Sequence, residues 1–257
     1  VSAIETAAGA IGTIEQGSGG VPIVFLHGVG SDKTVWRPQL AHFGAARRAV
    51  AFDYPGYGDS ALRDGATRDD YAAAIFAAMD SLGIARAHVC GLSLGGVVAI
   101  AMHARDPSRC ASLILADTFA VHPDGQGIHD RSVAASADLA ALAQARVGVL
   151  LAPGASPAIR DEVVTTMAAI DPAAYRIGAR AVWLADQRDR AAAIRVPTLV
   201  MCGAEDRITP PALSEELAAM IPNAALALID GAGHLANLER PAAFNARIDA
   251  FLAGIER

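Results

Sequence analysis

The run Ala87-His88-Val89-Cys90-Gly91-Leu92-Ser93-Leu94-Gly95-Gly96-Val97-Val98-Ala99-Ile100-Ala101 decides how the rest of the chain is read. An apolar, strand-like entry leads into Gly-x-Ser-x-Gly and then at once into a small-residue helical pattern. That is the order of strand, sharp turn and helix that a nucleophile elbow requires. Ser93 falls at the apex. A turn this tight presses backbones together, so a side chain at Gly91 or Gly95 would collide with the adjoining strand or helix. Leu94 follows with its N–H at the start of the helix, where a developing oxyanion gains a hydrogen bond and the favourable end of the helix dipole. Taken alone, Gly-x-Ser-x-Gly also describes an ordinary strand-to-helix turn, so the reading needs partners elsewhere in the chain.

On the N-terminal side, residues 3–16 alternate loosely between apolar and polar positions, with turn signals at Gly9 and Gly12, and read as an edge hairpin. Pro22-Ile23-Val24-Phe25-Leu26 is a continuous apolar run of the length of a buried parallel strand, ending in His27-Gly28-Val29-Gly30. A Gly-rich loop there places backbone N–H groups at the carboxyl edge of a sheet, where ligands of open α/β folds bind. His27 reads as a hydrogen-bonded anchor of that loop. Thr34 to Phe43 is a short helix carrying Trp36 and Leu40. Arg48 to Phe52 is a strand running into Asp53-Tyr54-Pro55-Gly56-Tyr57-Gly58-Asp59-Ser60, where Asp53 is expected to cap loop N–H groups. Arg68 to Leu82 keeps helical spacing behind Asp69 and Asp70.

On the C-terminal side, the elbow helix runs to about Asp106-Pro107, and Ala111 to Ala116 is a strand ending at Asp117. Strands separated by helices give a mostly parallel sheet covered on both faces. The rhythm then breaks. Between Thr118 and Arg190 no clear strand appears, and three helical stretches, near 131–151, 157–170 and 172–185, read as a lid that excludes water and shapes a pocket. The expected organisation is therefore a core from 1–117 and 191–257 interrupted by a helical lid at 118–190. Alternation resumes with Val196 to Gly203, Pro211 to Met220, Ala225 to Ile229 and a closing helix from Pro241 to Leu252.

With 257 residues, 53% hydrophobic and 19% charged, the chain is large enough for a full core in one domain. Aromatics make up only 5%, so aliphatic residues and alanine must do the packing. A net charge of −6 without blocks of like charge argues against nucleic acid or an anionic membrane as partner, and leaves a small molecule. Oligomeric state has no signal. The three cysteines, Cys90, Cys110 and Cys202, are widely spaced in apolar surroundings, and read as buried thiols of a reducing compartment with no disulfide or metal framework. Val1-Ser2-Ala3-Ile4-Glu5 has no basic region followed by an apolar core, so a cytoplasmic location is expected.

The elbow finds its partners at Asp206 and His234. Each of Ser93, Asp206 and His234 lies just beyond the carboxyl end of a predicted parallel strand, in the order nucleophile, acid, histidine. The chemistry needs each type: a serine hydroxyl is barely nucleophilic at neutral pH, an imidazole can remove its proton, and a buried carboxylate holds the ring in the right tautomer. Asp117 also follows a strand and is a rival acid. The Gly203-x-x-Asp206 loop favours Asp206.

Taken together, His27-Gly28, Asp53-x-x-Gly56-x-Gly58-x-Ser60, Gly91-x-Ser93-x-Gly95-Gly96, Gly203-x-x-Asp206 and Gly233-His234 resemble the α/β-hydrolase family over nearly the whole chain. Within it, four stretches look like the 3-oxoadipate enol-lactonases and related small esterases: residues 196–211, residues 233–245, the elbow itself and Asp171-Pro172-x-x-Tyr175. The resemblance implies Ser93 as nucleophile, His234 as base, Asp206 as acid, an oxyanion hole from the Val29 and Leu94 N–H groups, and neither cofactor nor metal. One departure stands out: Asp53-Tyr54-Pro55-Gly56-Tyr57 has Tyr-Pro where many relatives carry Arg or Leu.

The reaction so implied is hydrolysis of a small ester or lactone through an acyl-serine. The same machinery also serves carbon–carbon hydrolases of ring-cleavage products and cofactor-free haloperoxidase-type esterases. A slow-turnover ligand receptor is the reading from another class. Trp36, Phe119 and Trp183 are candidates to line an apolar pocket. Arg131, Arg146, Arg176 and above all Arg180 are candidates to meet a substrate carboxylate.

Overall fold

Apolar runs without polar alternation become strands buried on both faces, because helices cover both sides of a parallel sheet. The computed structural model describes residues 2–256, so Val1, the first residue of the terminus read for a leader, lies outside the described residues. Its strands are β1 (Ser2–Thr6), β2 (Gly9–Gln16), β3 (Ile23–Leu26), β4 (Ala49–Phe52), β5 (Ala87–Leu92), β6 (Cys110–Ala116), β7 (Thr198–Gly203) and β8 (Ala225–Ile229). They form one sheet in the order β1-β2-β4-β3-β5-β6-β7-β8. The N-terminal hairpin pairs antiparallel, as does β2 with β4, and every other neighbour runs parallel.

Period-two alternation then splits the core. Ile23 and Phe25 face α1 (Arg37–Phe43) and α11 (Pro241–Ile255), packing with Leu40, Phe43, Phe244 and Ile248. Val24 and Leu26 face the other way, toward α2 (Arg68–Ser81), α3 (Leu94–Arg105) and α9 (Pro211–Met220), and share a cluster with Ile75, Val98 and Leu217. Among the described residues no helix is long and apolar enough to cross a membrane.

Between β6 and β7 the chain leaves the sheet and forms α4 (Gly125–Ala135), α5 (Leu139–Leu150), α6 (Pro157–Ala168), α7 (Pro172–Trp183) and the short α8 (Arg188–Ala192). The helix expected over 131–151 is thus two. Asp138 divides it, accepting from the Ala141 N–H at 2.9 Å and so capping a new helix start. A further short helix, α10 (Ala236–Glu239), follows the histidine loop, where no helix was anticipated. Gly12, expected at a turn, lies within β2 opposite Ala3; the turn belongs to Gly9, whose φ is +98°.

The Asp53 loop holds more than the N–H caps expected of it. Asp53 accepts from the backbone N–H of Lys33 at 2.8 Å and of Asp59 at 3.1 Å, and its Oδ2 also receives the Lys33 ammonium at 2.6 Å. Lys33 reaches Asp59 as well, at 2.7 Å. Both Lys33 and Asp53 are buried. Removing one partner of a buried pair leaves an uncompensated charge, so Lys33→Met should cost about 3 kcal/mol. Urea denaturation followed by circular dichroism checks this, and an unchanged midpoint would show that the two N–H donors alone hold the carboxylate.

Candidate active site

Ser93 occupies the apex between β5 and α3 with φ +55° and ψ −113°, a conformation that a β-carbon makes costly. Its neighbours hold it there: the Ser93 N–H donates to the Ala116 carbonyl at 2.9 Å, and the Ser93 carbonyl accepts from Thr118 Oγ1 at 2.8 Å. The collisions expected at the flanking glycines are real. A β-carbon on Gly91 would strike the Gly95 carbonyl, and one on Gly95 would strike the Leu26 carbonyl of β3.

The carboxyl ends of β7 and β8 bring the other two residues to the same edge. His234 Nδ1 lies 2.8 Å from Asp206 Oδ2, and both side chains are buried. A carboxylate accepts only, so Nδ1 carries the hydrogen, and in the neutral ring Nε2 holds the lone pair. Asp206 also accepts from Thr209 Oγ1 at 2.7 Å and from the N–H groups of Ile208 at 2.7 Å and Thr209 at 3.0 Å. Burial pushes the Asp206 carboxyl up, but the adjacent imidazole and these donors outweigh it and hold the group below the ordinary carboxylate range.

Asp117 is treated in the opposite way. It is fully buried; one oxygen accepts from the Gly203 N–H at 2.8 Å, while the other has no partner. Burial, reinforced by the negative charge of Asp206, pushes the Asp117 carboxyl well above its usual range. Two carboxylates share this corner, and the neighbours stabilise ionisation of only one.

On the facing loop, the Gly28 carbonyl accepts from His27 Nδ1 at 2.8 Å and from Ser31 Oγ and N–H at 3.3 Å each. A trans peptide is planar, so fixing that carbonyl points the Val29 N–H the other way. His27 is thus the loop anchor expected. The departure at Tyr54-Pro55 finds its reason here. Tyr54 stacks on Tyr71 with ring centroids 4.8 Å apart, packs against His27, and donates to the His27 carbonyl at 3.3 Å. Tyr57 donates to the Val29 carbonyl at the same 3.3 Å.

Ser93, His234 and Val29 line one narrow cavity of about 40 Å³, walled by α5, α6 and α7 on one side and by the 28–31 loop and residues 234–238 on the other. Trp183 lines it, as the sequence suggested. Trp36 and Phe119 do not. Trp36 is sealed in the core beneath β3, 4.9 Å from Phe25, and Phe119 lies behind Trp183, stacked at 5.9 Å. Arg180 sits on the exposed side of α7, because the buried face of that helix is taken by Tyr175, Gly178, Ala179 and Val182. Of the four arginines considered, Arg146 reaches the cavity, and its Nη1 donates to Tyr175 Oη at 3.3 Å. It lies four residues before Leu150, also in the lining, so the two share one face of α5. Glu162 from α6 brings the opposite charge to an otherwise largely apolar wall.

A sheet of this topology, with these three side chains at its carboxyl edge, is that of a hydrolase fold. The alpha/beta hydrolase family model matches residues 23–247, and the chain belongs to that family. It is 29% identical to 3-oxoadipate enol-lactonase 1 of Acinetobacter baylyi over 238 residues, covering 91% of this chain and 89% of that protein. The solved enol-lactonase of Burkholderia xenovorans LB400 superposes with a TM-score of 0.91 at 27% identity, over 98% of this chain and 99% of that one. A thermophilic esterase from Thermogutta terrifontis superposes with a TM-score of 0.92, also at 27% identity, over 99% and 98% of the two chains.

Cys90, Cys110 and Cys202 are all free and buried. Cys202 Sγ lies 4.0 Å from Asp206 Oδ2, and burial with the adjacent Asp117 pushes its thiol far up; Cys110 is raised to about 12 by burial. Thiolate is the reactive form, so none of the three should react with Ellman's reagent in the native protein near neutral pH, and all should react in denaturant. Rapid native labelling would show that the interior opens.

Proposed function

We propose that this protein is a serine hydrolase of small carboxylic esters or lactones, of the 3-oxoadipate enol-lactonase type. The observation that carries the reading is the His234–Asp206 contact of 2.8 Å at the rim of a cavity that Ser93 also lines. In this scheme His234 Nε2 takes the Ser93 hydroxyl proton as Oγ attacks the acyl carbon, and Asp206 stabilises the imidazolium that forms. The oxyanion is received by the Leu94 N–H, unpaired in the first turn of α3, and by the Val29 N–H aimed by the Gly28 carbonyl. Collapse expels the alcohol, which takes the proton from His234. Water activated by the same imidazole then hydrolyses the acyl-enzyme.

Residues 118–190 act in this proposal as the lid of a core made by 1–117 and 191–257. The lid shapes a pocket for a small acyl group, where Arg146, steadied by Tyr175, meets a carboxylate at the far end of the substrate. A substrate panel tests it: enol-lactones, ring-cleavage products and p-nitrophenyl acetate, with wild type and Ser93→Ala. We expect lactone or ester turnover, and loss of both turnover and fluorophosphonate labelling in Ser93→Ala. Preference for the ring-cleavage product would move the reaction to carbon–carbon hydrolysis, and cleavage of one equivalent without turnover would make the protein a receptor. Arg146→Gln should raise KM for a free-acid substrate relative to its methyl ester by about tenfold.

The assignment of the acid has its own test. Asp206→Asn should lower kcat by roughly 10⁴-fold, the scale seen when a triad acid is neutralised, whereas Asp117→Asn should stay within about tenfold of wild type. The reverse order would transfer the role to Asp117.

A further inference from the structure

The backbone N–H groups of Gly233 and His234 are both bound, the first by a side chain of α10 and the second by the end of α5. Gly233 donates to Glu239 Oε1 at 2.8 Å, and His234 donates to the Leu150 carbonyl at 2.7 Å. The second oxygen of Glu239 accepts from the Ala152 N–H at 2.7 Å. Leu150 ends α5 and Ala152 lies just beyond it, so one buried carboxylate ties the histidine loop to the foot of the insertion. The acid loop is moored at the same place: Arg207, which follows Asp206, donates to the Leu151 carbonyl at 2.9 Å and to that of Gly148. A helix end makes a good mooring, because its last carbonyls have no partner within the helix. On the sheet side the loop's backbone is held at Ala232, whose carbonyl accepts from the Glu205 N–H at 2.9 Å.

We infer that Glu239 is a positioning residue, aiming His234 by fastening its loop to the end of α5 through two backbone N–H groups. This rests on the reading of His234 as the base. The residue type follows from the task. Two donors arrive from different segments, and a carboxylate accepts on both oxygens, whereas an amide accepts on one and turns an NH₂ toward the other donor. Leu150 adds a coupling: its carbonyl holds the histidine while it lines the cavity, so the fit of the acyl group and the aim of the base depend on one residue.

The test compares wild type with Glu239→Gln and Glu239→Ala in two readouts. The first is kcat and KM on p-nitrophenyl acetate. The second is the downfield proton resonance of His234 Nδ1–H, which reports its bond to Asp206 without any substrate. A misaimed catalytic group costs up to about 100-fold, so kcat should fall by roughly 10- to 100-fold with KM little changed, less for Gln than for Ala. The resonance should broaden or vanish while thermal unfolding stays cooperative. A folded Glu239→Gln with full kcat and an unaltered resonance overturns the inference, as does a rise in KM alone. If Glu239→Ala fails to fold, Glu239→Gln decides. If wild type cleaves no ester and the resonance still responds to Glu239→Gln, the positioning role stands and the hydrolase reading falls.

Discussion

Everything in this molecule is arranged around a place where backbone meets backbone with no side chain between. At the start of α3, Gly95 lies against the Leu26 carbonyl of β3, and Gly91 lies against the Gly95 carbonyl. That closeness forces Ser93 into the left-handed region, at a cost of about 1–3 kcal/mol for a residue other than glycine. The cost is offset locally by the Ala116 carbonyl and the Thr118 hydroxyl, so β6 and its exit loop share in fixing the turn. Parallel strands end on one edge, and once the serine stands at that edge the loops after β7 and β8 have only to bend inward to meet it.

The second constraint is electrostatic. A buried corner cannot stabilise two carboxylate charges side by side, and the structure distributes its donors unequally to decide which group keeps the charge. Asp206 receives a hydroxyl, two backbone N–H groups and an imidazole, while Asp117 receives a single N–H and leaves one oxygen unmatched. The negative charge is thereby placed beside the histidine. Asp117, in its turn, binds the first N–H of the acid loop and helps to shape the segment that carries its neighbour.

The sheet, and the placement of Ser93, Asp206 and His234 at its edge, were legible in the sequence because each is announced by local chemistry: apolar runs of strand length, glycines where backbones touch, and polar residues just past strand ends. What stayed hidden depends on orientation across elements. Trp36 and Trp183 look alike as isolated aromatics, yet one lies under the sheet and the other faces the cavity. Arg180 and Arg146 are both helical cations, and only the packing of α5 and α7 decides which points inward. The split at Asp138 was readable as a cap, but alanine-rich sequence on both sides masked it. The Lys33–Asp53 pair and the Glu239 bridge join residues far apart in the chain, so no local pattern reports them.

The order of the elements has a consequence for how such a molecule comes into being. The turn at Ser93 is complete once β3, β5 and β6 are in place, whereas β8, which delivers His234, closes the far edge of the sheet last. A chain still emerging from the ribosome therefore carries its alcohol long before its imidazole. On the proposed function, such a half-made chain holds its nucleophile without its base, and the two meet only with the final strand.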